Sequence, residues 1–322
     1  MTRSELLASF LGAARARVDA ALDAFLPRPP SCPPLVSEAM RYSVFAGGKR
    51  LRPILTLAAA GAAVGRATTG AGPDGPALTP AMMAALPAAC AIEMIHTYSL
   101  IHDDLPAMDD DTLRRGRPTL HVVYGDGIAV LAGDGLHAEA FGLLAREPAG
   151  DDPALAGRKL RVLRLVADAA GPAGMVGGQA IDLQAAGRAR GERIALDADG
   201  LRAMHARKTG ALIRASGVAG AIMAGHGEPV VAAVDRFASH LGLAFQIVDD
   251  ILDVEGKTQE LGKSAGKDAA GGKPTYPALF GLDRSRALAA EAAASAHAAL
   301  DGAGLAAELL HAIADWVVTR RN

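Results

Sequence analysis

Apolar residues recur every three to four positions along most of the chain, with Arg, Asp and Glu between them. This period predicts helices over residues 4–25, 35–45 and 54–64, and from residue 80 into the acidic stretch beyond it. Further helices are expected at about 125–145, 155–170, 174–186, 197–224, 230–253, 283–299 and 303–319. No segment of four or more residues alternates apolar and polar positions between turn residues, so strands are not expected. Punctuation agrees with the periodicity. Prolines crowd residues 27–34, Gly47-Gly48 stops a helix, and Pro53 suits a first helical position. Residues Gly65 to Gly75, rich in Gly, Thr and Pro, read as a surface insertion that extends a loop. No linker or composition shift divides the chain, so residues 1–322 are expected to form one all-α domain.

Composition strengthens the helical reading. Half the residues are hydrophobic but only 4% are aromatic, and the apolar content is dominated by helix-favouring Ala and Leu. A net charge of −2 gives no overall field for nucleic acid or anionic lipid. Two cysteines, Cys32 and Cys90, are too few for a disulfide framework or a thiolate metal site and suit a reducing compartment. The first residues lack the basic-then-apolar order of a secretory signal. The most apolar run, residues 77–92, contains two prolines and falls short of the roughly 20 residues that span a bilayer. A cytoplasmic protein with no membrane span is therefore expected.

Candidate chemistry starts with two acidic stretches, Asp103-Asp104-Leu-Pro-Ala-Met-Asp109-Asp110-Asp111 and Asp249-Asp250-Ile-Leu-Asp253. One charged run alone could be a solvated helix end. Two such runs, set among Ile, Leu, Phe and Val, are costly to bury without a cation between them. Hard oxygen donors in this number suit Mg²⁺, which takes few carboxylates and keeps positions for phosphate oxygens and water. Asp249 and Asp253 share a helix face, whereas Asp250 points about 100° away. In the first stretch an unbroken helix would align Asp103 with Asp110, but Pro106 interrupts the ladder and re-aims the later carboxylates. Spacing alone leaves the choice among Asp109, Asp110 and Asp111 open.

Basic groups supply the counterpart. Lys49, Arg50 and Arg52 follow a glycine pair and precede a helix N-terminus, a combination suited to an anion. Arg114, Arg115 and Arg117 come after the first acidic run, where they can bridge to its carboxylates or fork phosphate oxygens. Lys208-Thr209, Lys263, Lys267 and Lys273 are dispersed, and by spacing alone they are weak candidates. A Walker-type loop is excluded by glycine spacing and by the missing strand. His96 lies two helical turns before Asp103 on nearly the same face, and Gln179 and Gln246 sit in apolar helices where an amide needs a partner.

In this order the motifs resemble those of the trans-prenyltransferases, the short-chain isoprenyl diphosphate synthases, bacterial farnesyl diphosphate synthases in particular. The resemblance rests on Gly47-Gly-Lys-Arg-Leu-Arg-Pro53, Asp103 to Pro118, Gly174-Met-Val-Gly-Gly-Gln179-Ala-Ile-Asp182-Leu, Lys208-Thr-Gly210, Phe245 to Asp253 and Gly272-Lys273-Pro-Thr-Tyr-Pro277, and it runs from about residue 35 to 282. It implies an all-α bundle around a central cavity, usually a homodimer, that uses three Mg²⁺ ions. Carried over, Asp103 and Asp109 would bind two ions and Asp249 the third, with Asp104 and Asp253 in support. Arg114, Lys208, Thr209, Gln246, Lys263 and Lys273 would contact an allylic diphosphate. Gly48, Lys49, Arg52, His96 and Arg115 would hold isopentenyl diphosphate.

The implied reaction is metal-assisted loss of diphosphate, attack of the isopentenyl double bond on the allylic cation, and loss of a proton, shielded from water. Tyr98, five residues before Asp103, matches the position where a large aromatic in the resembling enzymes floors the cavity at fifteen carbons, although core packing would also explain it. That points to a farnesyl diphosphate synthase, with geranyl or geranylgeranyl diphosphate synthase as the alternative. A class I terpene cyclase fits less well, because its second metal motif usually carries Asn, Ser or Thr. A non-catalytic partner subunit would have lost aspartates or arginines that are all present here.

Overall fold

The protein was described from a computed structural model. It covers residues 2–64, 71–72, 75–76, 78–255 and 275–320.

Several helices begin at side-chain caps. Thr2 and Glu5 form a reciprocal capping box at the start of α1 (Arg3–Phe25). After α2 (Pro34–Val44) and α3 (Leu51–Ala60), the Thr79 hydroxyl accepts from Met82 N at the start of α4 (Pro80–Asp103). Then come α5 (Leu120–Tyr124), α6 (Asp126–Arg146), α7 (Pro153–Ala170, capped by Asp152) and α8 (Met175–Ala185). The predicted helix 197–224 is α9 (Ala198–His205), one π turn (Ala206–Gly210) and α10 (Ala211–Met223). The series continues with α11 (Glu228–Glu255), α12 (Tyr276–Phe280), α13 (Leu282–Asp301) and α14 (Glu308–Thr319). The protein is all-α, as expected.

Short strands qualify the reading in three places. Ala63–Val64 pairs antiparallel with Leu305–Ala306, so the helix predicted to reach residue 64 stops at Ala60 and the one predicted from 303 starts at Glu308. Within the insertion, Ala71–Gly72 pairs with Gly75–Pro76. Leu113–Arg114 pairs with Arg117–Pro118. Each pair holds two residues per strand, too short for periodicity to register.

Helix α4 is central and packs on α3, α6 and α10, while α11 packs on α10, α13 and α14. Because Ala dominates the contacts, with Ala85, Ala89, Ala91, Ala219, Ala238 and Ala244 fully buried, the helices approach closely with few large side chains. The premise that no apolar run is long enough to span a bilayer does not hold. By length and composition alone α4, α6 and α11 could cross a bilayer, since the apolar stretch of α4 extends past the run read from sequence. In α4, 78% of that stretch is buried against other helices, which accounts for its apolarity. In α6 only 39% is buried, and Val130 and Leu131 stay exposed beside Val122 and Val123 of α5.

Candidate active site

The acidic run after α4 is placed by a local break. Pro106 has no N–H and forces the preceding residue out of helical geometry, so α4 ends at Asp103. The chain then doubles back. Asp109 N donates to Asp103 O at 2.8 Å, Asp110 N to Leu105 O at 3.1 Å and Asp111 N to Asp104 O at 3.1 Å. Asp110 takes a left-handed φ of 52° and is exposed, whereas Asp109 returns to Asp103 and their negative charges repel. Ideal helix geometry favours Asp110; the doubled-back loop brings Asp109 instead. Burial first, and then repulsion from Asp109, raises the Asp103 carboxyl from 3.8 to about 6, against the pull of Lys208 and Arg114.

The next hairpin aims two arginines in different directions. Arg115 and Gly116 at its turn both have positive φ, 54° and 73°, the pattern of a type I′ turn. Arg114 forks the buried Asp104 carboxylate, with Nε at 2.9 and 2.8 Å and Nη2 at 2.5 Å. Arg115 reaches across to donate to Gly47 O and lies against Gly48. A Cβ on Gly48 would meet the Arg115 guanidinium at 2.5 Å, and its φ of +127° is one that glycine tolerates.

The basic loop before α3 divides its work. Arg50, read from sequence as part of an anion site, turns inward instead. It is 4% exposed and bonds Asp19 at 2.8 Å, Glu93 at 3.0 Å and Val44 O at 2.6 Å. Lys49 and Arg52 remain for the site. Arg52 Nε is buried with no hydrogen-bond partner, and burial, then the charges of Glu93, Asp249 and Arg115, set its environment. His96 faces the same guanidiniums. Burial and the charges of Arg52, Arg115 and Arg114 hold it neutral, well below its usual range.

Lys208 lies on the π turn, a helical distortion that favours functional sites. Its ammonium pairs with the buried Asp182 of α8 at 2.5 Å and acts electrostatically on Asp103. A Cβ on Gly178 would fall 2.3 Å from Lys208 N, so only glycine lets α8 pack this closely. Thr209 comes next on the same turn. Nearby on α8, both amide atoms of Gln179 are buried without a partner.

On α11, Asp249 accepts an ion pair from Arg320, whose guanidinium also stacks 4.0 Å over the Phe245 ring and donates to Phe245 O. Asp250 points elsewhere, as its spacing predicts: it accepts from Tyr276 N at 2.9 Å and from the Gln246 amide at 3.2 Å. Gln246 therefore engages Asp250 and not Asp249. Asp253 is buried. Lys263 and Lys273, like Lys267, lie outside the described residues. Sequence reasoning missed Arg188, Glu93 and Arg320, and it gave Asp182, quoted within a motif, no role. Arg188 pairs with Asp109 at 3.3 Å, and every one of these contacts joins segments remote in sequence.

Tyr98 packs on α6, with its ring 4.8 Å from His137 and 5.6 Å from His102, and His137 stacks edge-on to Phe141. His137 and Phe141 lie four apart on α6, a spacing present in the sequence but unremarkable without the facing Tyr98.

The fold has a counterpart among known proteins. Residues 33–304 match the family described as polyprenyl synthetase. The chain belongs to the polyprenyl synthetase family. It is 45% identical over 273 residues to the farnesyl diphosphate synthase of Geobacillus stearothermophilus, covering 85% of this chain and 84% of that one. It is 44% identical over 295 residues to the chloroplastic geranylgeranyl pyrophosphate synthase of Capsicum annuum, covering 90% and 73%. A crystal structure of a Helicobacter pylori geranyltransferase, complexed with magnesium and isoprenyl diphosphate, superposes with a TM-score of 0.78 at 31% identity, covering 97% and 96%. The family places this chain among the short-chain prenyltransferases.

Proposed function

We propose that the protein condenses isopentenyl diphosphate with dimethylallyl and then geranyl diphosphate, and so makes farnesyl diphosphate. One observation carries this reading. Two cationic groups adjoin the aspartates: Arg114 and Lys208 act on Asp103, while Arg52 and Arg115 act on neutral His96 and Lys49 lies near Asp249 and Arg115. Two such groups serve two diphosphates, and an enzyme acting on one diphosphate would need a single group.

The residues fit Mg²⁺. Asp103 and Asp109 are hard oxygen donors whose mutual repulsion a cation relieves, and the Arg320 guanidinium stands in as the cation on Asp249. Asp103 and Asp109 would hold two ions of an expected three and Asp249 the third. When bound, Mg²⁺ supplies positive charge for the departing diphosphate.

The protein's own groups do the rest. Arg114, braced by Asp104, and Lys208, braced by Asp182, present fixed positive charge to the allylic diphosphate. Arg52 Nε and the Gln179 amide are buried polar groups whose hydrogen bonds substrate would complete. Neutral His96 beside Arg52 and Arg115 offers a hydrogen bond without adding charge for the second diphosphate to balance. The apolar helices exclude water from the carbocation. The test is incubation with Mg²⁺, dimethylallyl diphosphate and labelled isopentenyl diphosphate, and then sizing of the dephosphorylated products. A fifteen-carbon alcohol is expected; no condensation product would refute the activity, and a ten- or twenty-carbon alcohol would correct the product alone.

Product length is assigned to Tyr98, backed by His137. In Tyr98→Ala the floor is lost, and products should shift towards twenty carbons or more. A product profile identical to the parent's removes Tyr98 from that role.

We further propose a homodimer formed through the exposed α5–α6 face, whose Val122, Val123, Val130 and Leu131 are unusually apolar for solvent. Light scattering should give twice the chain mass for the parent and a monomer for Val130→Glu/Leu131→Glu. A monomeric parent would sink this assembly.

A further inference from the structure

Beside the π turn that carries Lys208 lies a cavity of about 720 Å³ whose lining includes none of the residues assigned to the reaction. Its walls come from α9, the π turn, α11 and α13, and none of Asp103, Lys208, Asp182 or Asp249 lines it. The volume falls within the range of about 300–1,000 Å³ typical of small-molecule sites.

We propose that this cavity is a second ligand site, built for an amphipathic anion: a hydrocarbon chain ending in a phosphate or a carboxylate. Charge argues for the head group. Arg202 and Arg207 stand exposed at the rim with no carboxylate partner among the described residues. Arg214 is already paired with Asp235, and the lining acid Glu291 is neutralised by Arg284 at 2.6 Å. The net charge facing the cavity is therefore positive.

Unmet hydrogen bonding argues for a polar contact deeper in. His205 is 8% exposed and lines the cavity, yet its Nδ1 has no hydrogen-bond partner. Tyr276, 5.8 Å away ring to ring, lines it too, with its hydroxyl beside the Arg202 side chain. A buried ring nitrogen left unpaired is costly unless something bonds it. Leu243, Ile247 and Leu288 supply an apolar wall for a chain. Inorganic phosphate would leave that wall wet, and a neutral hydrocarbon would leave the arginines unused.

Binding is read by calorimetry on the full chain, with dodecyl phosphate, dodecanoate, dodecyltrimethylammonium and inorganic phosphate below micelle concentrations. The two dodecyl anions should bind, and comparing them tells a phosphate head from a carboxylate. Arg202→Glu/Arg207→Glu should weaken both at least tenfold and tighten the dodecyl cation. Ser239→Trp, filling the cavity from its exposed wall, should weaken the anions with the arginines intact. Asp103→Asn should leave binding unchanged, so the result stands whether or not the protein condenses prenyl diphosphates. Equal affinity for the anion and cation, inorganic phosphate binding as tightly as dodecyl phosphate, or loss of binding in Asp103→Asn would each overturn the proposal.

Discussion

Asp103→Asn should abolish condensation almost completely and, without metal, make the folded chain more stable at neutral pH. The rate loss stems from the charge geometry. Asp103 sits where Asp109 returns to α4 and where Lys208 and Arg114 converge, so on the proposed reading it would anchor a cation facing the departing diphosphate. Removing one such stabilising group costs about 10²–10³ in rate, and a metal ligand belongs at the upper end. A variant that keeps more than a tenth of the parent's kcat would remove Asp103 from the centre.

The stability gain has the opposite sign because the same carboxylate is a burden when no cation is present. Burial and Asp109 hold its folded-state pKa at about 6, above the 3.8 of an unperturbed carboxyl. Between those values the folded state binds more protons than the unfolded chain, so stability falls as pH rises. Above about 6 the penalty is complete, and below about 4 it vanishes. Asparagine carries no such penalty. The metal-free variant should therefore melt above the parent at pH 7.5, with the gap closing towards pH 4. A gap that is constant with pH would show that the substitution acts through packing. Function at a cost in stability is the usual trade at such sites.

The largest effect on stability alone is expected from Glu93→Gln. Arg50 and Glu93 form an ion pair in the core, 4% and 3% exposed, where an uncompensated charge is expensive. Asp19 still balances Arg50 at 2.8 Å, so the loss should lie near the lower end of the roughly 3–5 kcal/mol seen when one partner of a buried pair is removed. Replacing both, in Arg50→Met/Glu93→Leu, should recover most of it, since well-packed apolar side chains often match a buried pair. Urea titrations of the three proteins decide the point. A shift below about 0.5 kcal/mol in Glu93→Gln, the scatter of surface substitutions, would mean that the pair is solvated. Because Arg50 sits between Lys49 and Arg52, the single variant should also raise KM for isopentenyl diphosphate.

Much of the architecture was legible because it is local. Helical periodicity, the Gly47-Gly48 stop, the Thr79 cap and the Pro80 start each act within a turn or two, and the helices lie close to where those signals put them. The π turn at Ala206–Gly210 was not legible, since one extra residue in a helical turn leaves the apolar pattern nearly intact. Nor were the paired two-residue strands.

The site divides along the same line. Sequence by itself determined which side chains could carry the chemistry: Asp249 and Asp253 on one face, Asp250 off it, and a break after Asp103, because four-residue spacing and the missing N–H of Pro106 are properties of the chain alone. Only the tertiary structure decided that Asp109 and not Asp110 returns to Asp103, that Arg50 serves the core while Arg52 faces the site, and that Asp182 and Arg320 hold Lys208 and Asp249. Those pairings join residues up to 71 positions apart, and no periodicity reaches that far. They form because a buried charge must find an opposite one wherever packing has brought it, and packing is a property of the whole fold.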